Sequence, residues 1–397
     1  MNNQQKNQLL ESMVGVLELP DSAYEQAKLR YEDISKWLCR TESQCRDNKP
    51  YIFPQGSFRL GTVVRPLRGD EYDLDLVCNL RRGITTGNIS QYSLKTMIRN
   101  DLDKYRIERG IEEKPEEKHR CIRLNYQDSL KFHMDTLPGI PHEAATRQYL
   151  EERMIKSGLE KDLAHGVSEL ALAITDDRLS NYREIHHGWL ISNPEGYSIW
   201  FEWRMRQAHQ LLESRAFKEN VASIDDLPVY RWKTPLQHVI QILKRHRDIM
   251  FEKDSDGKPI SVIITTLAAR AYGGETDVYS ALKAILPRMK SLISTSAPRV
   301  FNPVNPSEDF ADKWATPEGQ RLQLEQKFLR WLTQANADFE IYISEKDRNS
   351  LQEQTIRKFG ITLSDKTLTG IFGASVTVPS SPNVQRVTGG TKPWKAL

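Results

Sequence analysis

Whatever this chain folds into has to house one stretch, EYDLDLVCNL at residues 71–80. Its first half alternates acidic residues with tyrosine or leucine, and its second half is nearly all apolar. That pattern predicts a strand that is half-buried where it begins and buried where it ends. Successive side chains of a strand face opposite ways, so Asp73 and Asp75 share one face and Leu74 and Leu76 the other.

The neighbouring segments read as more of the same sheet. YIFPQGSF is a short strand running into a Gly56-Ser57 turn, and RCIRLNY and LKFHMDTLP are two further strands with the helical stretch SLKTMIRNDLDKYRI before them. Residues 50–141 therefore form a mixed α/β core. Upstream, Leu9, Leu10, Met13, Val14 and Leu17 follow helical spacing up to Pro20. Ser22 with Glu25 reads as a capping box. Behind it, Tyr24, Ala27, Tyr31, Ile34, Trp37 and Leu38 mark a long amphipathic helix. After Pro141 helical patterns dominate, among them PLQHVIQILKRHRDIMF, with Leu236, Val239, Ile240, Leu243 and Ile249 near one face, and the nearly all-apolar ISVIITTLAARAYGG.

At 397 residues the chain is long enough for two packed units. We expect 1–205 to form the sheet-bearing domain with the N-terminal helices, 206–378 an α-helical domain, and 379–397, rich in Pro, Ser, Gly and Thr, a flexible tail. The fold class is α+β.

On LKFHMDTLP, Lys131, His133 and Asp135 alternate onto one face. If this strand neighbours the one carrying Asp73 and Asp75, three carboxylates meet. Two like charges about 4 Å apart repel by roughly 4 kcal/mol at an effective dielectric of about 20. Divalent cations remove that penalty, and an oxygen-only donor set selects hard Mg²⁺, with Mn²⁺ as an alternative. Two such ions clamp the attacking and leaving oxygens of an in-line displacement at phosphorus. Gly56 lets a backbone amide approach a phosphate, Ser57 adds a hydroxyl, and a short helix opening at SFRLGT favours an anion.

Each part alone has a blander reading. A lone D-x-D is usually a solvated strand or turn, Asp135 before Thr136-Leu137-Pro138 ends many strands, and KRHR on a helix is more often a solvated basic face. The combination is specific: a Gly-Ser turn, a spacer, D-x-D in an apolar strand, then one Asp on a later strand.

PQGSFRLGT, EYDLDLV and KFHMDTLPG, with WKTPLQHVIQILKRHRD and ISVIITTLAA, resemble the polymerase-β-like nucleotidyltransferase superfamily and, within it, the cyclic GMP-AMP synthase/DncV-like CD-NTases of bacterial anti-phage (CBASS) signalling. The resemblance spans residues 51–314. It implies a mixed-sheet, polymerase-β-like core with a long N-terminal spine helix, followed by an α-helical C-terminal domain. It implies that Asp73 and Asp75 hold two Mg²⁺ ions, that Asp135 completes the metal site and helps deprotonate the attacking ribose hydroxyl, and that Gln55, Gly56 and Ser57 contact the donor triphosphate. Lys244 and Ser261 occupy the places of a lysine and a serine that family members bring to the phosphates. The implied reaction joins ATP, and GTP or other triphosphates, into a cyclic di- or trinucleotide with release of pyrophosphate. The alternative is a linear oligonucleotide or a tail added to RNA, or nucleotide transfer to a protein or antibiotic. A third reading is a binding module without turnover. An accessory regulatory protein acting on the tail is a further implied partner.

Other features exclude or add little. A net charge of +3 does not suit a protein that coats nucleic acid. No Cys/His cluster matches the zinc-bearing insertion of the DNA-sensing animal relative, so double-stranded DNA sensing is not expected. Cys39, Cys45, Cys78 and Cys121 form no C-x-x-C pair; Cys78 and Cys121 sit in apolar runs and read as buried in a reduced, cytoplasmic protein. MNNQQKNQLLESMVGV has no signal-peptide pattern, and no stretch is apolar enough to cross a bilayer. RRGITTG is a loop without a dinucleotide fingerprint, and no P-loop motif occurs. His142, His186 and His187 read as surface residues. Arg123 alternates onto a face near Asp135, as a nucleotide contact or an ion pair. NPVNPSEDFADKW, residues 302–314, reads as a loop near the site with no assigned role.

Overall fold

The computed structural model describes residues 1–67, 71–126, 132–209 and 233–373. Lys131 and the 379–397 tail lie outside them.

The expected strands form and pair into a mixed sheet. They are β1 (Pro50–Gln55), β2 (Tyr72–Leu80), β3 (Glu116–Glu117), β4 (Ile122–Tyr126), β5 (Phe132–Pro141), β6 (Leu172–Ile174) and β7 (Leu190–Ser192), in the order β1-β2-β5-β4-β3, with β6 on the far end of β5 and β7 beyond it. Among them β2 and β5 run parallel and the other pairs antiparallel. A parallel pair needs a long crossover, and here it carries α4 (Gln91–Glu108), β3 and β4. The strands β6 and β7 lie in the region expected to be helical. At three residues each they carry no readable period, and pairing with β5 makes them strands.

The two faces of β2 meet different surroundings. Leu74 and Leu76 pack with Met134 against Ala27, Ile34 and Leu38 of α2 (Asp21–Cys39) and Leu94, Ile98 and Leu102 of α4. On the other face, Phe53, Val77 and Leu137 stand in register and form a small apolar cluster with Leu172 and Ile174. The aspartates continue that face beyond the cluster. The helix α2 begins at Asp21, where the Pro20 carbonyl takes the first helical bonds, so Ser22 lies one position inside the helix and caps nothing. The Ser22–Glu25 capping box is thereby corrected.

The rest of the described chain is helical: α1 (Asn3–Leu17), α3 (Gly56–Arg59), α5 (Ala144–Lys156), α6 (Lys161–Ser168), α7 (Pro194–His209), α8 (Pro235–Met250), α9 (Ser261–Ala271), α10 (Val278–Met289), α11 (Pro317–Arg321), α12 (Leu324–Ser344), α13 (Arg348–Phe359) and α14 (Asp365–Phe372). A short hairpin, β8 (Phe301–Asn302) and β9 (Asn305–Asp309), interrupts it. The helix α8 packs against α1, α9, α10, α12 and α13. Leu9, Leu10 and Met13 of α1 share one apolar cluster with Leu236, Val239 and Ile240 of α8, and Trp200 and Phe201 of α7 join it. Packing thus crosses the 205/206 boundary, and the division into 1–205 and 206–378 stays a proposal.

The KRHR stretch is not a solvated face. Lys244, Arg245, His246 and Arg247 are all buried. A polar stripe at helical spacing explains it: Gln237 donates to Leu60 O (2.9 Å), Gln241 to Val63 O (2.7 Å), Lys244 to Thr62 O (3.1 Å), and Arg245 to Arg65 O. The segment after α3 has no ladder for these carbonyls, and α8 supplies the donors. Ile249, expected on the apolar face, is half-buried. His142 is buried too, against the surface reading, while His186 and His187 are exposed. Cys78 is buried, but Cys121 only half-buried. Among the described residues no helix is long and apolar enough to cross a membrane.

Candidate active site

A single row crosses the sheet. Gln55 of β1 stands opposite Asp75 of β2, Asp75 opposite Asp135 of β5, and Asp135 opposite Arg123 of β4. Residues paired across a sheet share a face, so the geometry that brings Asp75 and Asp135 together is set by strand register alone. Asp73 lies two residues along the same face, opposite His133.

The charges in this row are unequally balanced. Arg123 grips Asp135 with two bonds, Nε to Oδ1 and Nη2 to Oδ2, each 2.7 Å, and reaches Asp73 at 3.8 Å. Among the described residues Asp75 has no such partner. Burial pushes its carboxyl up to about 7, Asp135 and Asp73 add to the shift, and Arg123 and Lys244 only partly oppose it. Asp73 is raised for the same first reason, with Arg123 and His133 opposing, although its side chain lies open to water at the cleft edge.

Gly56 is fixed by this crowding. Its φ is +65°, and a Cβ there would stand 2.5 Å from Asp75 Oδ2. The turn from β1 into α3 therefore passes directly over the carboxylate, which a side chain at 56 would displace.

The row opens on a cavity of about 460 Å³. Gln55, Gly56, Ser57, Asp73 and Asp75 line its sheet side, and Lys244 of α8 and Ser261, the first residue of α9, its helical side. Asp135 does not line it, its carboxylate being turned to Arg123, and Arg123 does not line it either. Lys244 is buried and donates to Thr62 O and Oγ1 at 3.1 Å each. Burial and the neighbouring Arg247 push its ammonium down to about 7, against Asp248 and Asp75. Arg247 in turn donates to Ser261 Oγ at 2.8 Å and to Pro259 O at 2.9 Å, which fixes the start of α9.

The remaining wall was not legible as such. Asn193 and Tyr197 bound the cavity at the start of α7, and Asn302, Glu308 and Phe310 bound it on and after the β8–β9 hairpin. The 302–314 stretch thus has a place in the site. Its signal was a run of charged and amide residues (Asn302, Asn305, Glu308, Asp309) beside two prolines and two aromatics.

A divalent cation fits the donor chemistry, because Asp75 is a crowded carboxylate whose neighbouring cations, Arg123 and Lys244, only partly offset it. Among the described residues no three His, Cys, Asp or Glu side chains stand close enough together to hold one ion. On this sheet both Asp135 oxygens accept from Arg123.

Residues 50–138 match the family described as cyclic GMP-AMP synthase DncV-like, nucleotidyltransferase domain. The chain is 28% identical over 373 residues to a c-di-GMP synthase of Roseivirga ehrenbergii, covering 93% of this chain and 87% of that protein. Its fold resembles the CD-NTase CdnG of Bradyrhizobium diazoefficiens in complex with GTP (TM-score 0.62, 22% identity, 92% of this chain and 97% of that one). It also resembles the CdnC of an E. coli CdnC:HORMA-deltaN complex (TM-score 0.55, 14% identity, 90% and 97%).

Proposed function

We propose that this chain, which belongs to the CD-NTase family of DncV-like nucleotidyltransferases, joins nucleoside triphosphates into a cyclic di- or trinucleotide second messenger, releasing pyrophosphate. The observation that carries this is the juxtaposition of two charge-starved walls. Carboxylates on the sheet and a buried lysine on α8 line one cavity of nucleotide size.

Asp73 and Asp75 would hold two Mg²⁺ ions, and Asp135 would join them once released by Arg123. The bound ions supply charge neutralisation for the α-phosphate and the departing pyrophosphate. The chain's own groups do the rest. Asp135 accepts the proton of the attacking ribose hydroxyl. Gln55, Gly56 and Ser57 orient the donor triphosphate, and Lys244 and Ser261 meet it from the opposite wall. Most of the acceleration is positioning and charge balance.

Both ATP and GTP are candidate substrates; GTP is bound by the Bradyrhizobium relative. A regulator of the HORMA kind, seen with CdnC, would act on the 379–397 tail.

Incubation with Mg²⁺ and labelled triphosphates, without added acceptor, tests the assignment. A cyclic product identified by mass spectrometry, absent with Asp75→Asn, is expected. Product formed only when RNA is added would favour the tailing alternative. Triphosphate binding without turnover would favour a binding module, against which the three acidic residues weigh.

A further inference from the structure

We propose that Glu308 reads the base of a bound nucleotide and selects guanine, with Asn302 holding it in position. The inference rests on the triphosphate site proposed above and names its preferred base.

The hairpin divides its two adjacent carboxylates between two tasks. Asp309 faces the backbone, accepting from the amides of Arg299 (2.7 Å), Val300 (2.9 Å) and Ala311 (2.9 Å), and so holds the hairpin together. Neighbours on a strand face opposite ways, and Glu308 is turned to the cavity.

One oxygen of Glu308 is held and the other is not. Asn302 Nδ2 donates to Glu308 Oε2 at 2.8 Å. The orientation of the Asn302 amide is itself fixed, because its Oδ1 accepts from Val304 N at 3.0 Å. Among the described residues no cation forms an ion pair with Glu308. The group is half-buried, and burial pushes its carboxyl upward against the Asn302 bond and the charge of Arg120. A carboxylate so placed lacks donors, and a ligand that brings them gains charge-assisted bonds.

The ring surfaces for a base are alongside. Phe310 follows Glu308 by two residues and meets Tyr197 edge-on, centroids 5.9 Å apart, and both line the cavity. With the phosphates drawn to Lys244, Ser261 and the aspartates, the hairpin is the wall left for the base.

Guanine alone among the four bases offers two adjacent donors, N1–H and N2–H₂, to one carboxylate. Adenine presents the N1 lone pair there, cytosine its N3 lone pair, and uracil a single N–H between two carbonyls. Each of those faces Glu308 with an acceptor, which is repelled. Glutamine at 308 inverts the match, since its carbonyl accepts from adenine N6–H₂ while its NH₂ donates to N1.

The test uses the full chain with Mg²⁺ and the four triphosphates at equal concentration, reading base composition of the product by mass spectrometry and kcat/KM for GTP and ATP separately. Wild type is expected to incorporate guanosine. Glu308→Gln is expected to lower kcat/KM for GTP about 10- to 100-fold, the range of one bidentate base contact, while that for ATP rises. Asn302→Ala should move the ratio the same way by less. A wild type that uses adenosine alone, or a folded Glu308→Gln with unchanged preference, overturns the inference while leaving the synthase intact. Product from no triphosphate at all overturns the underlying site. Should the variants not fold, wild type still decides. Inosine triphosphate, which lacks the N2 amine, is expected to compete for binding about tenfold less well than GTP, and equal competition overturns the inference.

Discussion

The two walls of the cavity are electrostatic opposites with the same deficit. On the sheet wall Asp75 is a carboxyl raised to about 7 because burial and two neighbouring carboxylates outweigh Arg123 and Lys244. On the helical wall Lys244 is an ammonium lowered to about 7 because burial and Arg247 outweigh Asp248 and Asp75. Neither wall neutralises itself, and they do not neutralise each other by direct contact: Lys244 spends its protons on Thr62. Asp135 and Arg123, by contrast, form a closed bidentate pair on the same sheet. The difference teaches what the cavity lacks. It needs a cation on one side and an anion on the other, which a divalent ion with a triphosphate supplies together.

The comparison breaks most severely at Asp75. Asp75→Asn is expected to cut turnover by about 1,000-fold or more, the several kcal/mol that ion-borne charge stabilisation contributes. Full activity would mean the sheet wall holds no ion. Lys244→Met is expected to raise KM for triphosphate about 10- to 100-fold with a smaller change in kcat, as fits a group that binds phosphate in ground and transition state alike. An unchanged KM would remove the helical wall from the site. Gly56→Ala, which forces a Cβ onto Asp75 Oδ2, should cost about 1–3 kcal/mol by denaturant titration; an unperturbed midpoint would show the turn is slack.

The opposite signs of the two walls are visible in stability against pH, measured by thermal melts in a chelator. The folded Asp75 carboxyl binds its proton more tightly than the unfolded one. Its contribution is therefore complete below about pH 4 and lost as pH rises through about 7. Asp75→Asn should raise Tm at pH 8 and not at pH 4. The folded Lys244 binds its proton more weakly than the unfolded one, so stability from this group is gained as pH rises from about 7 to about 10. Lys244→Met should raise Tm at pH 6 and not at pH 10. Equal effects at all pH values would deny both deficits. The smallest effect is expected at Arg123. Arg123→Ala should lower Tm by a few degrees in chelator, the cost of a charge-assisted bond, and by less with saturating Mg²⁺. An equal loss in both conditions would mean that no cation replaces the guanidinium.

How much of this was legible in the sequence follows from what sets each part. The carboxylate row was legible because a period of two decides which side chains share a face, and EYDLDLVCNL and KFHMDTLP carry that period plainly. The pairing of β2 with β5 then only had to be adjacent. Burial of Lys244 to Arg247 was not legible, because a basic stretch on a helix looks the same whether water or loop carbonyls receive its donors. The carbonyls of Leu60, Thr62, Val63 and Arg65 come from a segment about 180 positions away in the chain. Asn302 and Glu308 were hidden for another reason: β8 has two residues, and the five of β9, NPSED, show no apolar–polar alternation. Arg123 was flagged with two readings, and the ion pair with Asp135 is the one formed.

Everything proposed for the cavity requires that Asp73, Asp75 and Asp135 hold divalent ions beside a triphosphate. A crystal structure with Mn²⁺ and a non-hydrolysable triphosphate, read through the manganese anomalous signal, tests it most directly. Anomalous peaks are expected within bonding distance of all three carboxylates, with Asp135 parted from Arg123 and the phosphates facing Lys244. Peaks absent from Asp75, or an Asp135 still gripped by Arg123 with triphosphate bound, would contradict it.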